Sequence, residues 1–156
     1  MSAHVIIRVQ RADFDLASEY QRLRQSTTAV GAVVTFCGLV RDLENETAID
    51  SLSLQHYPGM TESLLQDIVA QAEQRWRLIG VTLIHRVGQL SPSDQIVFVG
   101  VASEHRKDAF EAAQFLMDYL KTRATFWKKV DQGGQQYWVD SKDSDQLAVD
   151  RWQRDD

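Results

Sequence analysis

Cysteine, proline, long apolar runs and positive charge are all scarce in this chain, and each scarcity removes a class of protein. One cysteine, Cys37, cannot close an internal disulfide, which fits a reducing compartment. Two prolines and eight glycines leave little punctuation, and with no repeat, linker or low-complexity tract the chain reads as a single domain over 1–156. No apolar run reaches the roughly 18 residues of a membrane span, and no charged-then-apolar leader opens the sequence. A cytoplasmic location is the resulting expectation. Seventeen Lys and Arg against 22 Asp and Glu give a net charge of −5, the opposite of a general nucleic-acid footprint. The four histidines form no i, i+4 pair and lie near no cysteine cluster, so no metal site is expected. Nucleophile-elbow, phosphate-loop and dinucleotide glycine motifs are missing as well.

Against that acidic background, one segment stands apart. HRKDAFEAAQFLMDYLKTRATFWKK, from His105 to Lys129, carries six Lys and Arg against three Asp and Glu, a local charge of +3. Cations gathered around one aromatic-rich helix suit an anionic ligand, although a solvated helix face can have the same composition.

The 44% hydrophobic and 25% charged fractions are those of an ordinary globular protein with a real core. HVIIRVQ (4–10) reads as a strand, and Asp13 can cap a helix over about 14–25 that presents Leu16, Tyr20 and Leu23. GAVVTFCGLV (31–40) is a β-rich strand, and RDLENETA a polar loop. From Ile49 to Tyr57 residues alternate, with Leu52, Leu54 and His56 on one face. Thr61 suits the N-cap of a helix to about Arg77. VTLIHRVGQL and QIVFVGVAS form two strands across a Ser91-Pro92-Ser93-Asp94 turn. A long helix from about His105 to Arg123 buries Ala109, Ala113, Leu116 and Leu120, a second hairpin turns at Gly133-Gly134, and a short amphipathic helix follows Ser144. The order predicts an α+β fold with helices on a mixed, largely antiparallel sheet.

Within this frame the chemistry-bearing candidates are few. Lys121 and Lys128 are seven residues apart; a continuing helix puts them roughly 10 Å apart on one face, and a helix ending near Ala124 allows a turn to bring them closer. Phe126 and Trp127 make a partly dry setting, in which a lysine becomes a better acid or base. Arg41 follows a strand directly, and Arg106 sits beside His105 in a helix's first turn, where backbone N–H groups attract anions. Arginine stays charged, so neither is a base. His56 and His85 lie in strands and read as packed or edge residues, and Cys37 as a small buried hydrophobe.

GAVVTFCGLVRD, LQHYPGMTE, VTLIHRVGQLSPSDQIVFVGVASEHR, AFEAAQFLMDYLKTRATFWKK and YWVDSKDSDQ, in this order over nearly the whole chain, resemble the large, catalytic subunits of molybdopterin synthases. The resemblance implies an α/β hammerhead-like fold with an added β-subdomain. It also implies a sulfurtransferase that needs no cofactor, converting cyclic pyranopterin monophosphate to molybdopterin. The sulfurs would come from the C-terminal Gly-Gly thiocarboxylate of a small ubiquitin-like subunit, in a heterotetramer built on a homodimer of large subunits. By the same resemblance Lys121 and Lys128 fall on the family's catalytic lysines. Arg41, His105 and Arg106 fall on its anion-binding cluster, Phe36 and Met117 on pocket positions, and Lys142 where an arginine is often found on a second pterin-contacting wall. Lys142 keeps that charge without the guanidinium fork. Val130 stands where the familiar pattern has a glutamate, and Leu39 where some relatives have lysine.

A carrier thiocarboxylate would explain why an enzyme of sulfur chemistry has so little cysteine. Two rivals remain at this level: a Cys37 persulfide sulfurtransferase, and a noncatalytic module that binds an acidic or ubiquitin-like tail. One further expectation comes from length. His105 and Lys121 lie at opposite ends of one predicted helix, roughly 24 Å apart at 1.5 Å per residue, too far for one small pterin to touch both. A two-fold interface that brings one subunit's His105 and Arg106 to the other's lysines resolves the conflict.

Overall fold

The computed structural model describes residues 3–44, 47–124, 126–139 and 143–154. Strand β1 (His4–Gln10) leads through α1 (Leu16–Arg24) to β2 (Ala32–Leu39), and a small hairpin, β3 (Leu43–Glu44) with β4 (Thr47–Ala48), precedes β5 (Ser51–His56). Helix α2 (Met60–Arg75) is followed by β6 (Gly80–Arg86), β7 (Gly88–Leu90), β8 (Gln95–Ser103) and α3 (Arg106–Arg123). β9 (Phe126–Gln132), β10 (Gln135–Val139) and α4 (Asp143–Arg154) complete the order.

Two four-stranded sheets carry the structure, one ordered β1-β6-β8-β2 and the other β10-β9-β5-β7. Only the β1–β6 pair is parallel among these ladders, as the α+β expectation requires. Period-2 alternation sorts β6 and β8 into two faces. Val81, Leu83, Val99 and Val101 pack with Leu65, Ile68 and Val69 of α2 and Phe115 and Leu116 of α3. On the opposite face Ile84 and Phe98 meet Phe14 and Leu23. Each of these buried side chains contributes about 1.5–3 kcal/mol relative to exposure, so the first sheet and its helices hold most of the apolar driving force. The second sheet has a smaller core of Val40, Ile49, Leu52, Leu54, Leu90 and Val130.

Several local expectations are corrected. The helix α1 starts at Leu16 with Asp15 as N-cap, its carboxylate accepting from the Ala17 N–H, because Asp13 is already engaged by the Phe14 N–H and the Gln95 amide. Leu16 and Tyr20 are exposed, and α1 buries Leu23 and Glu19 instead, the latter ion-paired with Arg22 at 2.8 Å and Arg8 at 3.4 Å. Gly59, at φ +86°, is the N-cap of α2, and the Glu62 carboxylate accepts its N–H. Thr61 lies inside the helix, fully buried, its Oγ1 accepting from the Tyr57 N–H at 3.1 Å. Chain reversal comes earlier than expected at the other end of α2, which stops at Arg75 so that Trp76 can pack against Phe115 and Trp152. The polar 41–48 loop contains the β3–β4 hairpin.

The correction that matters most for function concerns VTLIHRVGQL. It is two strands, not one. Gly88 takes φ +92°, a conformation a side chain rarely adopts, and a Cβ there would also meet the Arg11 guanidinium at 2.7 Å. The chain bends at this point, so β6 stays in the first sheet while β7 pairs with β5 in the second. Ser91–Asp94 then turns as expected, with the Asp94 N–H bonded to the Ser91 carbonyl at 3.0 Å, and β8 returns to pair with β6. β6 thus runs directly into a strand of the other sheet, and a space is left between the two sheets.

Helix α4 is clasped to α3 by a buried carboxylate that sequence periodicity did not reveal. Asp118 accepts from Trp152 Nε1 at 2.6 Å, Arg151 Nη2 at 3.0 Å and Gln114 Nε2 at 2.8 Å. Among the described residues no helix is long and apolar enough to cross a membrane.

Candidate functional site

A cavity of about 680 Å³ opens where the two sheets meet the C-terminal end of α3. The end of β2 and the residues after it supply Phe36, Cys37, Gly38, Leu39, Val40 and Arg41; α3 supplies Met117, Leu120 and Lys121; β9 supplies Phe126 and Lys128. His85 from β6, Leu52 and Leu54 from β5, and Ile96 and Val97 from β8 form much of the remaining wall.

Local sequence explains why the two lysines converge. α3 ends at Arg123, and Ala124 adopts extended backbone at ψ 140°, which turns the chain away from the helix axis. Lys128 therefore does not continue the helical face of Lys121; it stands in β9, opposite Leu54 of β5. Phe126, Lys128 and Val130 share one face of β9 by strand alternation. Val130 anchors that face in the second core, and Phe126 and Lys128 project into the cavity. Lys121 is exposed and Lys128 half-buried.

The sequence candidates divide cleanly. Phe36, Arg41, Met117, Lys121 and Lys128 all line the cavity. His105 and Arg106 do not: His105 is the N-cap of α3, with no side-chain capping bond and a side chain 80% exposed, and Arg106 begins the helix, exposed. Lys142 lies outside the described residues. Among the described residues no group of three or more His, Cys, Asp or Glu could hold a metal ion.

Two residues need revision. Cys37 is not the fully buried hydrophobe expected; it is half-buried on the cavity wall, because β2 is an edge strand whose 36–40 stretch runs past the end of α3. Burial pushes its thiol pKa up, which reduces the thiolate fraction. His85 is packed as expected, at 7% exposure, and it also belongs to the cavity wall. Its ring lies flat on Phe126, with centroids 3.7 Å apart and planes 14° apart. Burial, with lesser repulsion from Lys121 and His56, outweighs the bond to the Arg86 carbonyl and pulls its pKa down to about 4. His56 stands further from Phe126, at 6.5 Å, with its Nε2 3.4 Å from the Glu62 carboxylate. Neither role was legible from strand alternation, which gives a residue's face but not what lies at the strand's end.

The site thus offers two primary amines and one guanidinium on a wall otherwise made of aliphatic and aromatic groups. It can hold a small, flat, anionic molecule, and its amines can move protons or balance developing negative charge.

Comparison with known proteins gives the same direction. The family model described as MoaE protein matches residues 9–123. The chain is 51% identical over 152 residues to the molybdopterin synthase catalytic subunit of Yersinia pestis, covering 97% of this chain and all of that protein. It is also 51% identical over 146 residues to the protein of that description in Ralstonia nicotianae, covering 94% of this chain and 83% of the relative. Among solved structures, the molybdopterin biosynthesis MoaE protein from Burkholderia ambifaria superimposes with a TM-score of 0.83 at 46% identity, covering 96% of this chain and 98% of that one.

Proposed function

The chain belongs to the MoaE protein family, and we propose from this that it is the catalytic subunit of a molybdopterin synthase and acts as a sulfurtransferase. It converts cyclic pyranopterin monophosphate to molybdopterin, taking two sulfurs from the thiocarboxylated C-terminus of a small ubiquitin-like subunit. The observation that carries this reading is the convergence of Lys121, Lys128 and Arg41, from three separate parts of the chain, on one cavity.

The roles follow from the chemistry of each group. The carrier's Gly-Gly end is narrow enough to thread into the cavity, so its thiocarboxylate supplies the nucleophilic sulfur and the enzyme needs none of its own. Lys121, from the helix end, stabilises the negative charge that develops at the carrier's acyl group and delivers protons. Lys128 assists at the pterin side. Arg41 holds the phosphate with a fork that no pH change discharges, and Phe36 and Met117 supply apolar surface for the ring system.

His105 and Arg106 join this site only if it is shared. Sixteen residues of helix separate His105 from Lys121, roughly 24 Å, and no Pro or Gly lies between them to kink the helix. A homodimer that places the first turn of one subunit's α3 near the other's lysines lets both ends of the helix serve one substrate. Lys142 is the remaining member of the proposed site, and a carrier at each end gives a heterotetramer. A cytoplasmic location belongs to the same proposal.

The rival that uses a Cys37 persulfide has less support, since the thiol's raised pKa works against a nucleophilic sulfur. One assay tests the proposal: the chain is incubated with cyclic pyranopterin monophosphate and a thiocarboxylated carrier. Dithiolene product supports it. Binding of the carrier without product would leave only the noncatalytic reading, and truncating the carrier's final Gly-Gly should remove product even where docking survives.

A further inference from the structure

Besides Cys37, the wall beside the two lysines contains a titratable side chain to which the proposed chemistry gives no task. His85 is on the face of β6 that also carries Val81 and Leu83, and it lines the cavity together with Lys121, Phe126 and Lys128. Its Nδ1 is 2.8 Å from the Arg86 carbonyl oxygen, which can only accept, so in the neutral ring this nitrogen carries the proton. Nε2 is left as an acceptor. A lysine ammonium has three donors and no acceptor, so a neutral imidazole is a complementary neighbour and an imidazolium a repelling one.

The surroundings keep the ring in the useful form. Lys121 on α3 and His56 on β5 both act on it as positive charges, close enough to disfavour protonation, and burial works in the same sense. Lys128 reaches the same cavity from β9, His56 is paired with Glu62 of α2, and the neighbours of His85 across the ladders, Val9 and Val97, are uncharged. No carboxylate is among the groups that act on the ring to favour the cation. Its flat stack on Phe126 fixes the first residue of β9, and Lys128 lies two residues further on the same face.

We propose that His85 is a positioning residue for Lys121: its neutral ring presents an acceptor nitrogen on the cavity wall that steers the ammonium toward the reacting centre, while the ring face fixes the strand that bears Lys128. This rests on the catalytic reading given above. It also assigns a purpose to a histidine buried without a charge partner, where an apolar residue would pack as well.

The test uses the reconstituted complex under multiple turnover, with thiocarboxylated carrier supplied in excess so that kcat and the KM for the pterin can be read. His85→Phe keeps the stack and removes the acceptor, and His85→Gln restores an acceptor near the position of Nε2. His85→Phe is expected to lower kcat about tenfold or more with KM for the pterin changed by less than about twofold, and His85→Gln to recover part of the loss. In a Lys121→Ala background His85→Phe should change the residual rate by less than about twofold, because the residue through which it acts is gone. Wild-type kcat in folded His85→Phe, or an equal loss with and without Lys121, overturns the proposal. Should His85→Phe fail to fold by thermal melting, His85→Leu is compared with His85→Gln, since both lose the ring and only Gln keeps an acceptor: a faster His85→Gln with Lys121 present and no difference in the Lys121→Ala background is expected, and equal rates with Lys121 present overturn the proposal. If the wild-type complex itself makes no product, the catalytic reading falls and this proposal with it; product from wild type with an indifferent His85 defeats this proposal alone.

Discussion

The two ends of α3 both carry basic side chains and sit in opposite environments. At the C-terminal end Met117, Leu120, Lys121 and Ala124 face a cavity closed by strands from both sheets. At the N-terminal end His105, Arg106 and Lys107 are exposed, and the cap has no side-chain bond of its own. A helix N-terminus of this kind, where the charges of Arg106 and Lys107 are balanced by Glu104 and Asp108, presents basic heads and the helix dipole to solvent without enclosing an anion. The contrast teaches that enclosure and charge were distributed to different places: one end has the walls and the amines, the other has charge in search of a wall.

The sharpest way to break this comparison is to remove the amines. Lys121→Ala should reduce product formation by about a thousandfold while leaving the melting temperature near wild type, since an exposed lysine contributes little to the core. Lys128→Ala should be severe as well, with part of the loss appearing in KM. A folded Lys121→Ala protein that turns over at the wild-type rate would remove the cavity from the mechanism.

A second experiment asks whether the open end borrows the closed end of another copy. Lys121→Ala and Arg106→Ala subunits, each inactive, are mixed under conditions where exchange is followed by mass. A shared site regenerates one intact centre in each mixed dimer, so up to about half of the activity expected for wild-type dimers should return in that fraction. Exchange with no recovered activity means that each chain completes its own site.

Smaller effects are expected at the cavity's uncharged members. Because the His85 pKa is about 4 in the fold against 6.5 for a free histidine, the unfolded chain binds more protons between these values. Stability from this group is therefore complete above pH 6.5 and lost as pH falls toward 4, by about 3 kcal/mol at most. His85→Phe should flatten that part of the stability curve relative to wild type, as read by denaturant unfolding at pH 7, 5.5 and 4.5. Cys37→Ala should cost about 1 kcal/mol or less and retain most of the turnover with the carrier as sole sulfur source, since a half-buried thiol leaves a small void. Complete loss of activity would instead restore the persulfide route.

Much of this arrangement was legible in the sequence, and the failures have physical causes. β2, β8 and α3 were readable because their patterns are long and each is paired or packed along its whole length. The α1 cap was misassigned because Asp13 and Asp15 carry the same side chain, and only the distant Gln95 decides which of them is free to cap. The break at Gly88 left a signal, a glycine inside a strand-like run, but nothing local says that the following three residues change sheets. Five of the eight candidate site residues share the cavity because the chain turns at Ala124, a residue whose composition marks no boundary. His85 reads in sequence only as a packed or edge residue, which its burial bears out, and only the fold puts it on one cavity wall with a lysine.

The Asp118 clasp has a consequence for motion. Among its anchors α4 has the Asp118 carboxylate, Val149 buried in the main core, Trp152 edge-on to Trp76 and Phe115, and a bond from Arg75 to the Trp152 carbonyl. Asp118 directly follows Met117 and lies about one turn before Lys121, so the clasp borders the stripe of α3 that lines the cavity. A segment packed chiefly on one neighbouring helix can open as a separate unit, at a free energy below that of global unfolding. In amide exchange α4 should therefore be released ahead of β6 and β8, and each release uncovers the stripe of α3 next to Lys121 while the strands that enclose the substrate stay in place.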